Sequence, residues 1–111
     1  MRALSVLAAL SGVIAIVAGA FGAHAVTGQP AEWLRTGGQY QLIHAVAAIT
    51  VMTHSRAAAW AMFGGAAVFA FSLYAMALGA PRWFGAITPL GGLGMIGGWL
   101  WLAMTAGRRA D

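Results

Sequence analysis

Three histidines and two tyrosines are the side chains here best placed to bind a ligand or pass a proton. Tyr40, Gln41 and His44 fall together in "GGQYQLIHAVA", and on a helix they share roughly 100° of arc. That face could form an interhelical hydrogen-bond cluster or line a small polar pocket. His24, Ser72, Tyr74 and Thr88 lie in three other apolar runs and are further candidates for the same cluster. Hydrolytic chemistry is not expected. Ser72 has histidines available but no carboxylate to orient one, and there is no G-x-S-x-G turn. Glu32 falls in a connecting loop and Asp111 in the tail, so no catalytic constellation is found.

Metal and cofactor chemistry fare no better. The chain has no cysteine, and no carboxylate lies within the apolar runs to complete a metal site. His24 and His44 come from adjacent runs and histidine ligates haem iron, but their heights differ, whereas axial ligands need matching ones. No resident cofactor is expected, with haem disfavoured and quinone kept only as an alternative ligand.

These side chains have to be positioned by elements built for a bilayer. Hydrophobic residues make up 61% and charged residues 7%, against about 25% charged in soluble domains. The net charge of +4 comes from six separated arginines, which do not form the clustered basic face that nucleic acid requires. Charge-free runs predict one membrane domain, 1–111, with spans at about 4–26, 37–53, 57–79 and 85–106, each near the ~20 residues a crossing needs. Spans with internally satisfied backbone are helices. Links of about ten residues at "TGQPAEWLRT", and fewer at "HSR" and "APRWF", predict an all-α integral membrane up-down-up-down four-helix bundle. Pro30 is read as opening a short interfacial helix. Thr88 is read as a cap for the fourth span, with Pro89 in its first turn.

Arg2, Arg56, Arg108 and Arg109 fall on one side and Arg35 and Arg82 on the other, which predicts cytoplasmic termini. Trp33, Trp83 and Phe84 are read as anchors on the opposite side. Ala23-His24-Ala25 resembles a signal-peptidase site, but the preceding apolar run of about 22 residues exceeds the 7–15 of a secretory core, so an uncleaved span is expected. Small residues predict packing stripes: Ser5, Ala8, Gly12, Ala15, Gly19 and Ala23 on the first span, Ala61, Gly65, Val68, Ser72 and Gly79 on the third, and Gly91, Gly94, Gly98 and Thr105 on the fourth. In this frame the polar side chains gather in the outer third of the membrane, where they either staple helices together or form a site. His24 lies more than 90° from the first stripe.

The stretches "GAFGAHAV", "W…TGGQYQLIHAVA", "FSLYAMAL" and "WFGAITPLGGLGMIGGW" resemble, in order and over almost the whole chain, the YgdD-like family of small multi-pass membrane proteins. That family is a domain of unknown function with bacterial members and small eukaryotic transmembrane relatives. The resemblance implies a four-pass protein of the bacterial inner membrane and carries over no activity, cofactor or catalytic residue. His24, Tyr40, Gln41, His44, Ser72, Tyr74 and Thr88 all lie inside the quoted stretches.

The leading expectation is a non-enzymatic accessory or assembly partner, surrounded by lipid and packing against a larger membrane complex or another copy of itself. The alternative is a site for a lipid, quinone or similar amphiphile in the outer leaflet at Gln41 and His44. A transporter or proton pathway is weaker, because polar groups do not continue through the inner half and no inverted repeat is evident.

Overall fold

Runs rich in alanine, leucine and methionine favour helix, and a computed structural model describes residues 2–109 as helices joined by short links. α1 spans Arg2–His24, α2 Gly28–Val51, α3 Arg56–Ala77 and α4 Thr88–Arg109, with a 3-10 turn at Arg82–Ala86 ahead of α4. No strand occurs among the described residues. Asp111 and the side chain of Arg109, counted above with the charges, lie outside the described residues.

Local chemistry sets the helix ends. Ser55 caps α3, its Oγ accepting from the Ala58 N–H at 3.1 Å. At the other end the Ala80 N–H reaches the Ala75 carbonyl at 2.9 Å and the Gly79 N–H reaches that of Met76 at 3.1 Å. This paired closure needs a left-handed residue, and Gly79 supplies it with φ +108°. Gly79 therefore terminates α3 and is not part of a packing stripe.

The second helix differs most from expectation. "TGQPAEWLRT" is not a ten-residue link: α2 begins at Gly28 and runs unbroken for 24 residues, about 36 Å. Pro30 sits in its first turn, where a backbone N–H has no intrahelical partner to lose. The expected interfacial helix is thus the opening of α2 itself, and Glu32 lies on helix and not in a loop. The α1–α2 link shrinks to 25–27. Gln41 consequently stands near the middle of α2, and His44 lies beyond the midpoint.

Three stretches are long and apolar enough to cross a membrane: Arg2–His24, Arg56–Ala77 and Arg82–Arg108. α2, carrying Gln29, Glu32, Arg35, Gln39, Gln41 and His44, is not among them. Each helix packs extensively on the next in sequence, whereas α1 and α4 share no comparable interface. Half of the α3 stretch is buried, against 28% for α1 and 17% for the stretch containing α4, so α3 is central. Leu4 and Ala8 of α1, Ala48 and Val51 of α2, and Ala58 and Met62 of α3 form the larger apolar cluster, with Leu102 of α4 packed on it.

Close backbone approach is concentrated between α3 and α4. A Cβ on Gly65 would lie 2.5 Å from the Met95 nitrogen and 2.8 Å from the Gly91 carbonyl oxygen. A Cβ on Gly91 would strike the Phe69 nitrogen, one on Gly98 would lie 2.7 Å from Met62 Cγ, and one on Gly94 3.0 Å from Gly65 Cα. On α1 the expected stripe is displaced. The buried positions are Leu4, Ala8, Ser11, Ala15, Ala18 and Gly22, because this face seats Ser11 against α2. A Cβ on Gly19 would meet nothing within 4 Å, and one on Gly12 only ordinary contact with Leu42. The tight glycines at this interface are instead Gly38 of α2, 2.8 Å from the Ala15 carbonyl oxygen by the same construction, and Gly22 of α1, 2.9 Å from that of Ala31.

Candidate functional site: three polar assemblies between helices

The expected cluster resolves into three separate assemblies. The first joins three helices through Gln41, which is only 1% exposed. Its Nε2 donates to Ser11 Oγ of α1 at 2.9 Å, and its Oε1 accepts from the Tyr74 hydroxyl of α3 at 2.6 Å. Gly37, one turn before Gln41, makes room for the Tyr74 ring, which would lie 2.6 Å from a Cβ there. Acceptor and donor ends of the amide are both used, each by a hydroxyl of a different helix.

The second assembly centres on His44, also buried. Trp99 of α4 donates its indole N–H to His44 Nε2 at 3.0 Å, and His44 Nδ1 lies 2.7 Å from the Tyr40 carbonyl oxygen. An indole nitrogen can only donate and a carbonyl can only accept, so the ring proton sits on Nδ1. With both nitrogens committed, His44 has no free lone pair for iron or another metal. The Tyr40 ring packs on Phe69, centroids 4.9 Å apart, and lies nearly parallel to the His44 ring at 6.4 Å. Tyr40 is 44% exposed, and among the described residues its hydroxyl has no partner.

In the third assembly Ser72 Oγ donates to the Phe69 carbonyl at 2.8 Å and shares a 2.5 Å hydrogen bond with Thr88 Oγ1. Thr88 opens α4 as its first residue, but its hydroxyl is spent on α3. His24 is exposed at the end of α1 and belongs to none of the three. No group of three histidine, aspartate or glutamate side chains able to hold a metal occurs among the described residues.

Two partners escape a reading of the sequence. Ser11 passes for one more small residue in an alanine-rich run. Trp99 draws no attention among apolar neighbours, although an indole N–H in mid-helix needs an acceptor that hydrocarbon does not offer, which is the signal that would have found it. Both stand near the middle of their helices, so the Gln41 and His44 assemblies lie closer to mid-height than to the outer third, whereas Ser72 and Thr88 meet at helix ends. The shift follows from the early start of α2. Every buried side-chain nitrogen and oxygen among the described residues has a partner. The assemblies hold helices in register and present no paired nucleophile and base.

The family model described as "Protein of unknown function (DUF423)" matches residues 18–92. The chain belongs to the DUF423 family. It is 34% identical to the UPF0382 membrane protein YwdK of Bacillus subtilis, over 96% of this chain and 97% of that one. It is 33% identical to the UPF0382 inner membrane protein YgdD of Escherichia coli K12, over 88% and 84%. A Staphylococcus haemolyticus UPF0382 membrane protein is 35% identical over 95% of both chains. No solved structure matches. The resemblance read from four short stretches is borne out: this is a membrane protein of a family to which no function is assigned. The DUF423 match takes in His24, Tyr40, Gln41, His44, Ser72, Tyr74 and Thr88, starts after Ser11 and stops before Trp99.

Proposed function

We propose that the chain is a non-enzymatic, four-span protein of the bacterial inner membrane that packs against another membrane protein as an accessory or assembly subunit. The observation that carries this reading is the contrast between inside and outside. Inside, the buried polar side chains are consumed by helix–helix hydrogen bonds. Outside, α1 and α4 do not pair with each other and turn large apolar side chains outward, among them Ile16, Val17, Leu93 and Leu100. Lipid covers such faces, and so does a partner helix.

Crossing by α2 is supported by its setting between α1 and α3. Its charges, Glu32 and Arg35, lie in its first two turns, and Gln41 and His44 are shielded by neighbouring helices. Consecutive helices meet end to start, as Gly22 with Ala31 and Ser72 with Thr88 indicate, which fits four alternating crossings. The arginine distribution supports cytoplasmic termini.

The test is mild-detergent isolation of the tagged protein from native membranes, followed by native mass measurement. The reading predicts a stoichiometric heteromeric complex that dissociates in the Leu93→Ala/Leu100→Ala variant while the subunit stays folded. Recovery only as a lone monomer or homo-oligomer contradicts it.

A further inference from the structure

A cleft of about 380 Å³ opens sideways between α2 and α4, with Phe69 of α3 at its floor. Tyr40, His44, Met95, Ile96 and Trp99 form its walls, and Gly92 lines its edge. The volume lies at the low end of small-molecule pockets, roughly 300–1,000 Å³. This cleft is not the Gln41 assembly, which faces α1.

Three observations define what fits it. Trp99 stands at mid-height of α4 and His44 beyond the midpoint of α2, away from either helix end, so an occupant enters through the hydrocarbon and cannot bring a charged headgroup with it. Much of the wall is flat ring: the Trp99 and His44 rings meet edge-on at 73° with centroids 5.9 Å apart, and Tyr40 lies 16° from the plane of His44. Such walls favour a planar occupant. Among the polar side-chain atoms lining the cleft, His44 has both nitrogens engaged and Trp99 has given its single donor away. The hydroxyl of half-exposed Tyr40 is left unpartnered, as a donor that needs an acceptor. Gly92 keeps the mouth open, since a Cβ there would meet no protein atom within 4 Å.

We propose that this cleft binds the head ring of a membrane-soluble quinone, with a ring carbonyl accepting from the Tyr40 hydroxyl and the ring face against the Trp99–Phe69 walls. The isoprenoid tail leaves laterally into the bilayer.

The test is tryptophan quenching by a short-chain ubiquinone, with the full-length protein in lipid nanodiscs. The wild type should show a saturable component that disappears in Trp99→Phe while the other four tryptophans report only partitioning. Gly92→Leu, whose Cβ would meet nothing within 4 Å at the edge of the cleft, should abolish saturation. Tyr40→Phe, which keeps the ring and loses the hydroxyl, should weaken binding about tenfold. Gly97→Leu, at another open glycine outside the cleft, should leave it unchanged. If Gly92→Leu does not fold, as judged by circular dichroism, Tyr40→Phe decides. Quenching that never saturates overturns the proposal. So does saturation unaffected by Tyr40→Phe and displaced equally well by a fatty acid, which would mark an acyl-chain groove.

Discussion

Replacing Gln41 by leucine isolates the contribution of the three-helix assembly. The substitution keeps the approximate volume of a side chain that is 1% exposed and removes both ends of its amide. Two interhelical hydrogen bonds are lost, at 2.9 and 2.6 Å, worth about 0.6 kcal/mol each in membrane proteins. The Ser11 hydroxyl can turn back to a carbonyl of its own helix. The Tyr74 hydroxyl cannot, and an orphaned buried hydroxyl costs about 1–3 kcal/mol. The expected loss is therefore about 2 kcal/mol, close to thirtyfold in the unfolding constant. Equilibrium unfolding in bicelles, followed by steric trapping, measures it. The triple variant Ser11→Ala/Gln41→Leu/Tyr74→Phe strips every polar atom from the assembly and should recover to within about 1 kcal/mol of wild type. A Gln41→Leu protein as stable as wild type, or a triple variant worse than the single one, refutes the reasoning.

Neighbouring glycines on α3 should respond in opposite directions. Gly65→Ala drives a methyl into the α4 backbone and should cost about 1–3 kcal/mol. Gly64→Ala meets nothing within 4 Å and should raise the thermal midpoint, by up to about 1 kcal/mol of helix propensity. Thermal unfolding in a mild detergent compares the two directly. Gly79→Ala forces a side chain into φ +108° and should lower stability by more than about 1 kcal/mol, with hydrogen exchange rising first at the last turn of α3.

What the sequence discloses, and what it hides, follows from which signals are local. Runs free of charge and cut by arginines are enough to call four helices and a bilayer environment. The start of α2 is not legible, because Gly28 and Pro30 carry turn chemistry and helix-start chemistry at once, and only packing against α1 decides between them. That one ambiguity moves Gln41 from the opening of a short span to near the middle of a long helix and puts His44 beyond its midpoint. It thereby changes the predicted depth of the α2 side chains, while His24, Ser72 and Thr88 stay near helix ends. Tyr40, Gln41 and His44 do share an arc, yet Gln41 turns towards α1 and α3 and His44 towards α4. A helix flanked on both sides divides a polar face that periodicity alone reads as one site. The glycine stripe of α4 is legible because Gly91, Gly94 and Gly98 have no competing small face. On α1, where glycine and alanine occur all round the helix, the buried face is set by Leu4 and Ser11 and cannot be picked out by residue size.

Whether the outward faces meet a protein is the central question, and site-specific photo-cross-linking in living cells addresses it without detergent. A photoreactive residue placed in turn at Leu93 and Leu100, both exposed on α4, should give one discrete protein adduct of the same size at both positions. The same residue at the exposed Val68 of α3 should give little of that adduct. Adducts with lipid alone, or with a second copy of the chain alone, at both α4 positions would contradict an accessory subunit built to pack against another membrane protein.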